Sequence, residues 1–593
     1  MTNVVKPACL ALAATMLMGI APQSRGAPSP QLLDLLDPTR PMRQLCGGGK
    51  NAGAALRLRL AQAAFVQAAG AKEAPVGLIP GLGNHDFPVT TRNAVAQRFF
   101  DQGLMLSYGF NHAEAIRAFR EAQRLDPDCA MCWWGEAYAH GPNINAPMDE
   151  KAFQPALSAA RRALALAGKA TPVERGLIAA IPKRYAEQPP ADRAALDMGY
   201  ADAMLEVARR FPDNDDVAVL AAEAVMDTRP WDYWESDGRT PKGKIGEAVA
   251  LVEKVVQRSP DHPQGAHLYI HLMESTANPA RAEAAADRLA TPLVPAAGHL
   301  VHMPGHLYYR VGRYKDAIRV NVAAAKVDAD YLQRSHEQGL YRFGYYPHNV
   351  HFIVTSAQMA GDMGTAITEA RRLGTILNTD VTAAMPWVQP VDAAPYLAFA
   401  QFAEPAAILK VPPPDKRLPY VTAMWHYARA VAYAQQRNDA GSRAEIDAIA
   451  KIRTTTDFKP MTDQLVPAPD LLRLAEAVAQ GRMAYAHGRY AEAAKLYRAA
   501  ATIEAGVRYM EPPFWYYPVS QSLGAALYEA KDYAGARQAF LDALAQAPNN
   551  GWALYGLAMT QRAMGDGVAA AASEAALDKA WLGKRAWLKM NRL

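Results

Sequence analysis

The stretch 97-QRFFDQGLMLSYGFNHAEAIRAFREAQRLDP-127 decides the fold of this chain. Within it Gly103, Ala115, Ala122 and Pro127 stand at positions 8, 20, 27 and 32 of a 34-residue helix-turn-helix repeat. Small residues at these positions let two antiparallel helices approach closely, and the proline stops the second one. The same offsets return as Gly481, Ala493 and Ala500, and again as Gly524, Ala536, Ala543 and Pro548, followed by a further unit from Gly551. Between these ends the pattern is looser. It can be followed through Ala248 and Pro260, Ala282, Gly312-Arg313-Tyr314 with Ala317, and Gly361 with Ala366.

On these residues the chain resembles the tetratricopeptide repeat family over most of residues 90–593. The resemblance implies an all-α, right-handed superhelical solenoid of helix-turn-helix repeats. Each unit then packs only on its neighbours, so length does not count domains. Residues 28–90 read as an irregular lead-in, 91–385 as N-terminal and central repeats, 386–419 as a proline-rich irregular connection and 420–593 as C-terminal repeats. Arg229-Pro230-Trp231-Asp232-Tyr233-Trp234 through Lys244 carries too many helix breakers and reads as an inserted loop.

Ahead of the repeats, Lys6, an apolar run from Ala8 to Ala21 and small residues ending at Ala21 or Ala27 read as a signal peptide over residues 1–27. The expected product is exported, periplasmic or secreted, with no stable membrane insertion. Basic residues exceed acidic ones by only five among 593, without a long basic run, so nucleic acid is not an expected partner. Cys129-Ala-Met-Cys132 opens a helix and is followed by Trp133 and Trp134, which favours a structural pair over a redox one.

The candidate chemistry lies in the histidines, nine of which, among fourteen, fall between His262 and His351. Anchored on the alanine at position 20, three successive units start at Pro263, Gly298 and Pro347. Position 5 is then His267, His302 and His351; position 9 is His271, His306 and Thr355; position 2 is Gln264, His299 and His348. Positions 2, 5 and 9 share one face of a helix, and in the family this face lines the concave groove. First helices of neighbouring units lie about 8–10 Å apart, so imidazoles from adjacent units can converge on an ion. The i, i+4 pairs His267/His271 and His302/His306 are chelating pairs, and Glu274 adds a carboxylate one turn on. Pro304 and Gly305 are expected to break the helix between His302 and His306.

This set of His267, His271, His299, His302, His306, His348 and His351 suits a transition metal ion such as copper, zinc or iron rather than magnesium or calcium. Glu274, Tyr309, Arg310 and Asn349 are candidates for supporting or groove positions. Under this reading the protein binds metal and acts on a small molecule as a metal-dependent oxidoreductase or hydrolase. The other reading is a non-catalytic interaction scaffold whose groove takes a peptide, with the histidines satisfying one another and Tyr269, Tyr308, Tyr309 and Asn349. Trp231–Asp237 and Asn143-Ile144-Asn145 read first as gap-fillers between irregular repeats and second as a cap on the groove. His85-Asp86 is a candidate outer ligand pair. No phosphate loop, nucleophile elbow or H-E-x-x-H is present. The strings around His267–His271, Gly298–Pro304 and Tyr346–Phe352 are similar to those of a group of bacterial exported repeat proteins, a resemblance that implies fold and export but no reaction.

Overall fold

Why glycine recurs at position 8 is visible in the packing. A Cβ at Gly103 would collide with the ring of Phe119, one at Gly481 with Tyr497 and one at Gly524 with Phe540. In each unit the aromatic residue follows its glycine by the same interval, and it sits where the two helices cross. Gly135 and Gly556, at the equivalent place in the next unit, receive the other faces of Phe119 and Phe540. One ring thus keys three helices together.

The computed structural model describes residues 76–593, apart from Pro292, His336 and Gln338. The residues read as a signal peptide and most of those read as a lead-in lie outside the described residues. From Ala94–Tyr108 and His112–Leu125 to Gly551–Ala563 and Gly567–Ala580, helix follows helix, each packed mainly on its sequence neighbours. The described residues form an all-α solenoid of helix-turn-helix pairs. Asparagine and aspartate recur as N-caps, for example Asn93, Asn111, Asn214, Asp362 and Asp532, each accepting from a backbone N–H of its first turn. No helix among the described residues is long and apolar enough to cross a membrane.

Residues 76–93 form no helix. The region 386–419 differs from the irregular connection expected there, because Gln389–Phe402 is a full helix. Pro390 occupies its first turn, where no backbone donor is needed, and Pro395 is accommodated inside it. Cys129 and Cys132 are joined in a disulfide at a buried helix start.

Buried apolar side chains gather into two large clusters, one from Leu82 to Tyr345 and one from Tyr309 to Leu593. They meet at the helices Pro304–Arg310 and Tyr346–Ala360. The last repeats return onto this junction. Asn549 Nδ2 donates to the Gly312 carbonyl at 3.3 Å, Trp552 Nε1 to Gln358 O at 2.9 Å, and the Leu582 N–H to Ala360 O at 2.8 Å. Trp581 lies against Gly361, its ring filling the space a side chain would need, and the φ of 73° there favours glycine. The histidine-bearing units are therefore covered by the C-terminal repeats rather than facing an open groove.

Candidate metal centre

Four helices supply the histidines. Pro263–Met273 carries His267 and His271, Gly298–His302 carries His299 and His302, and Tyr346–Ala360 carries His348. The break expected at Pro304 is present: one helix ends at His302 and another, Pro304–Arg310, brings His306. Gly305 serves this bend by leaving space for Asn321, which a Cβ would strike.

The side chains form two adjacent triads, His267/His271/His299 and His302/His306/His348. Within each, one nitrogen per ring lies within 4.8 Å of the others. His299 Nε2 faces His267 Nε2 at 3.2 Å, and His348 Nε2 faces His306 Nε2 at 3.4 Å. A tetrahedral ion bound at 2.0–2.1 Å holds its nitrogen ligands about 3.3 Å apart. The triads are close to each other, with ring centres of His271 and His306 5.8 Å apart and those of His299 and His302 5.9 Å apart.

Outer hydrogen bonds set which nitrogen of each ring is free. Asn321 Nδ2 donates to Ala317 O at 2.8 Å, which turns its Oδ1 toward His302 Nδ1 at 2.5 Å. Gln264 Nε2 donates to Glu223 at 3.1 Å, which turns its Oε1 toward His267 Nδ1 at 2.9 Å. Glu274 accepts from both triads, with Oε1 2.7 Å from His271 Nδ1 and Oε2 2.7 Å from His306 Nδ1. In all four rings Nδ1 therefore carries the proton and Nε2 presents a lone pair, the arrangement in which outer carboxylates and amides orient metal-binding imidazoles. His271 Nε2 and His302 Nε2 are buried without a hydrogen-bond partner.

The electrostatics agree with neutral rings at His267, His271, His299, His302 and His348. Burial, reinforced by neighbouring imidazoles, holds His267, His299, His302 and His348 well below the ordinary imidazole value. Burial lowers His271 as well, against the pull of Glu274. Burial alone would raise Glu274, but His306 and the bonds from His271 and His306 carry it below the usual carboxylate range. Neutral imidazoles are the form that binds a metal without first releasing a proton.

His351 stands on the same helix face as His348, one turn further on, and joins neither triad; it lines a small adjoining cavity. Arg310 Nε donates to the Glu274 carbonyl at 2.8 Å, a supporting position. Asn349 is turned away to Asp328, at 2.6 Å, and Tyr309 packs edge-on against Tyr314. His85 does not reach the triads. It pairs with Asp216 at 2.7 Å, beside His262. This third cluster fails the tautomer criterion, because His262 Nδ1 accepts the Gly265 N–H and so Nε2 carries its proton toward Asp216.

The triads form one end of a cavity of about 390 Å³. Contrary to the gap-filling role read first, Trp231, Trp234 and Asn145 are on its wall. Trp231 donates to Asn145 Oδ1 at 3.0 Å and meets His271 edge-on at 5.1 Å. Sequence reasoning missed Tyr509, which donates to Glu274 at 3.2 Å, and Glu511, whose carboxyl is raised to about 7 by burial. Both come from the C-terminal return and have no local signal. Gln264 was visible as the position-2 partner of His299, whereas Asn321 was not.

Fold and site together define a helical-repeat protein with a histidine-ended cavity. No protein-family model matches the chain, and no curated protein matches it. Among solved structures it is similar to a human IFIT1 dimer with m7Gppp-AAAA, at 11% identity over 83% of this chain and 91% of that one, TM-score 0.28. Yeast Tom70 aligns at 12% identity over 84% and 94%, TM-score 0.26. The P58(IPK) TPR domain aligns at 14% over 80% and 99%, TM-score 0.20.

Proposed function

We propose that this chain is an exported metalloprotein that holds two transition-metal ions side by side, one on each histidine triad, and acts on a small molecule in the adjoining cavity. The observation that carries this reading is the set of four imidazoles whose Nδ1 atoms are anchored outward while their Nε2 atoms converge. A groove built to grip a peptide has no need to fix the tautomer of buried rings. All-nitrogen donors suit copper, zinc or iron, and such ions supply either a Lewis acid for hydrolysis or a redox centre. The Cys129–Cys132 disulfide favours an oxidising compartment and so supports export.

The test is elemental analysis of untagged protein purified without chelators, beside two variants, His267→Ala/His299→Ala and His302→Ala/His348→Ala. The expected result is about two equivalents of transition metal in the parent chain and about one in each variant. Protein that is metal-free and takes up no zinc, copper or iron on dialysis would return the chain to the scaffold reading.

A further inference from the structure

Beyond the histidines, the cavity has a consistent chemistry. Its sides are made by Trp231, Trp234, Tyr345, Trp387, Tyr509 and Phe514, drawn from four separate segments. Two of these rings abut the imidazoles directly: Trp231 lies 5.1 Å from His271 and Tyr345 lies 5.0 Å from His299. Surfaces of this kind favour a flat ring that stacks offset or edge-on. The volume of about 390 Å³ falls at the small end of ligand sites.

The polar groups narrow the class. Trp387 Nε1, a donor, and Glu511 Oε2 are buried without a hydrogen-bond partner. Buried polar atoms of this kind are satisfied when a ligand brings a complementary group. The charged residues on the lining are Glu235, Arg508 and Glu511, one cation against two carboxyl groups, so the protein's own side chains offer little to a phosphorylated or polyanionic ligand. At the inner end the imidazole nitrogens, and any ions they hold, call for an oxygen donor.

Resting on the metal reading above for its inner end, we infer that the cavity receives a single hydroxylated aromatic ring, a phenol-class compound. Its ring lies among Trp231, Trp387 and Phe514, and its oxygen points to the histidine triads. The aromatic walls act on the ring whether or not metal is present, and the ions act on the oxygen.

The probe is 4-nitrophenol, which reports its own environment by absorbance and quenches tryptophan fluorescence. Titration is carried out on the full chain, metal-free and after loading with zinc and desalting, with cyclohexanol and 4-nitrophenyl phosphate as competitors. The inference expects saturable binding at one site to metal-free protein and at least tenfold tighter binding after zinc loading. It also expects no displacement by either competitor, and at least tenfold weaker binding in Trp387→Leu or, should that variant misfold by circular dichroism, in Phe514→Leu. Displacement by cyclohexanol, or no binding by zinc-loaded protein, overturns it. The two readings fail separately. Zinc uptake without 4-nitrophenol binding removes the aromatic ligand and keeps the metal, while tryptophan-dependent binding without zinc uptake keeps the aromatic site and removes the ions.

Discussion

At the scale of single residues, Glu274 is the most consequential side chain of the site, because one buried carboxylate orients a ring in each triad. Removing an outer partner of this kind lowers metal affinity about 10- to 100-fold. Glu274→Gln is therefore expected to weaken binding of both ions by that factor, as read by competition with a chromogenic chelator. Unchanged affinity for either ion would remove its bridging role. Asn321→Leu frees His302 alone and is expected to weaken only the ion of the His302/His306/His348 triad. At this scale the sequence was partly legible. The register of positions 2, 5 and 9 marked all six triad histidines, and Glu274 was read one turn beyond His271 on the same face. It also marked His351, because periodicity fixes the face of a helix but not which turn along it meets the neighbouring unit. Asn321 was hidden, since its role depends on the space left by Gly305 in another helix.

At the scale of elements, the repeats are held by aromatic rings seated on glycines. Gly103→Ala forces a methyl group against Phe119 and is expected to cost about 1–3 kcal/mol in denaturant unfolding. The helix Tyr346–Ala360 is fastened differently, by buried Asp328, which accepts from Tyr341 Oη at 2.9 Å and Asn349 Nδ2 at 2.6 Å and fills the space beside Gly298. Burial raises Asp328 from 3.8 to about 7. A carboxyl raised in the folded state binds more protons there than in the unfolded chain, so its contribution is complete below about pH 4 and is lost as pH rises toward 7. Asp328→Asn keeps the shape and removes the titration. Relative to it, the parent chain is expected to lose stability between pH 4 and 7, by no more than about 4 kcal/mol; parallel stability profiles would show that Asp328 does not titrate there. The repeat offsets were legible because they are local, and Pro304 correctly announced a break. Residues 386–419 misled because proline in a first helical turn reads in sequence like proline in a loop.

At the scale of the molecule, what makes a cavity of the groove is the return of the last repeats onto the histidine units, through Asn549, Trp552 and Trp581. That closure was not legible, since it sums small rotations over many units and no single residue records it. Glu511, Tyr509 and Phe514 reach the site only through it. Because the ions would bind residues from four helices of the folded chain, metal should stabilise the whole protein. Zinc at one hundred times its dissociation constant is expected to add about 2.7 kcal/mol to unfolding for each ion, about 5.4 kcal/mol for the two, an effect absent when the six triad histidines are replaced.

The claim that two ions sit on two triads is tested most directly by anomalous diffraction from crystals of untagged protein grown with zinc and measured on both sides of its absorption edge. The account predicts two anomalous peaks, one among His267, His271 and His299 and the other among His302, His306 and His348, each on the Nε2 side of the rings. No peak at either triad, or a peak only at His85, Asp216 and His262, would contradict it.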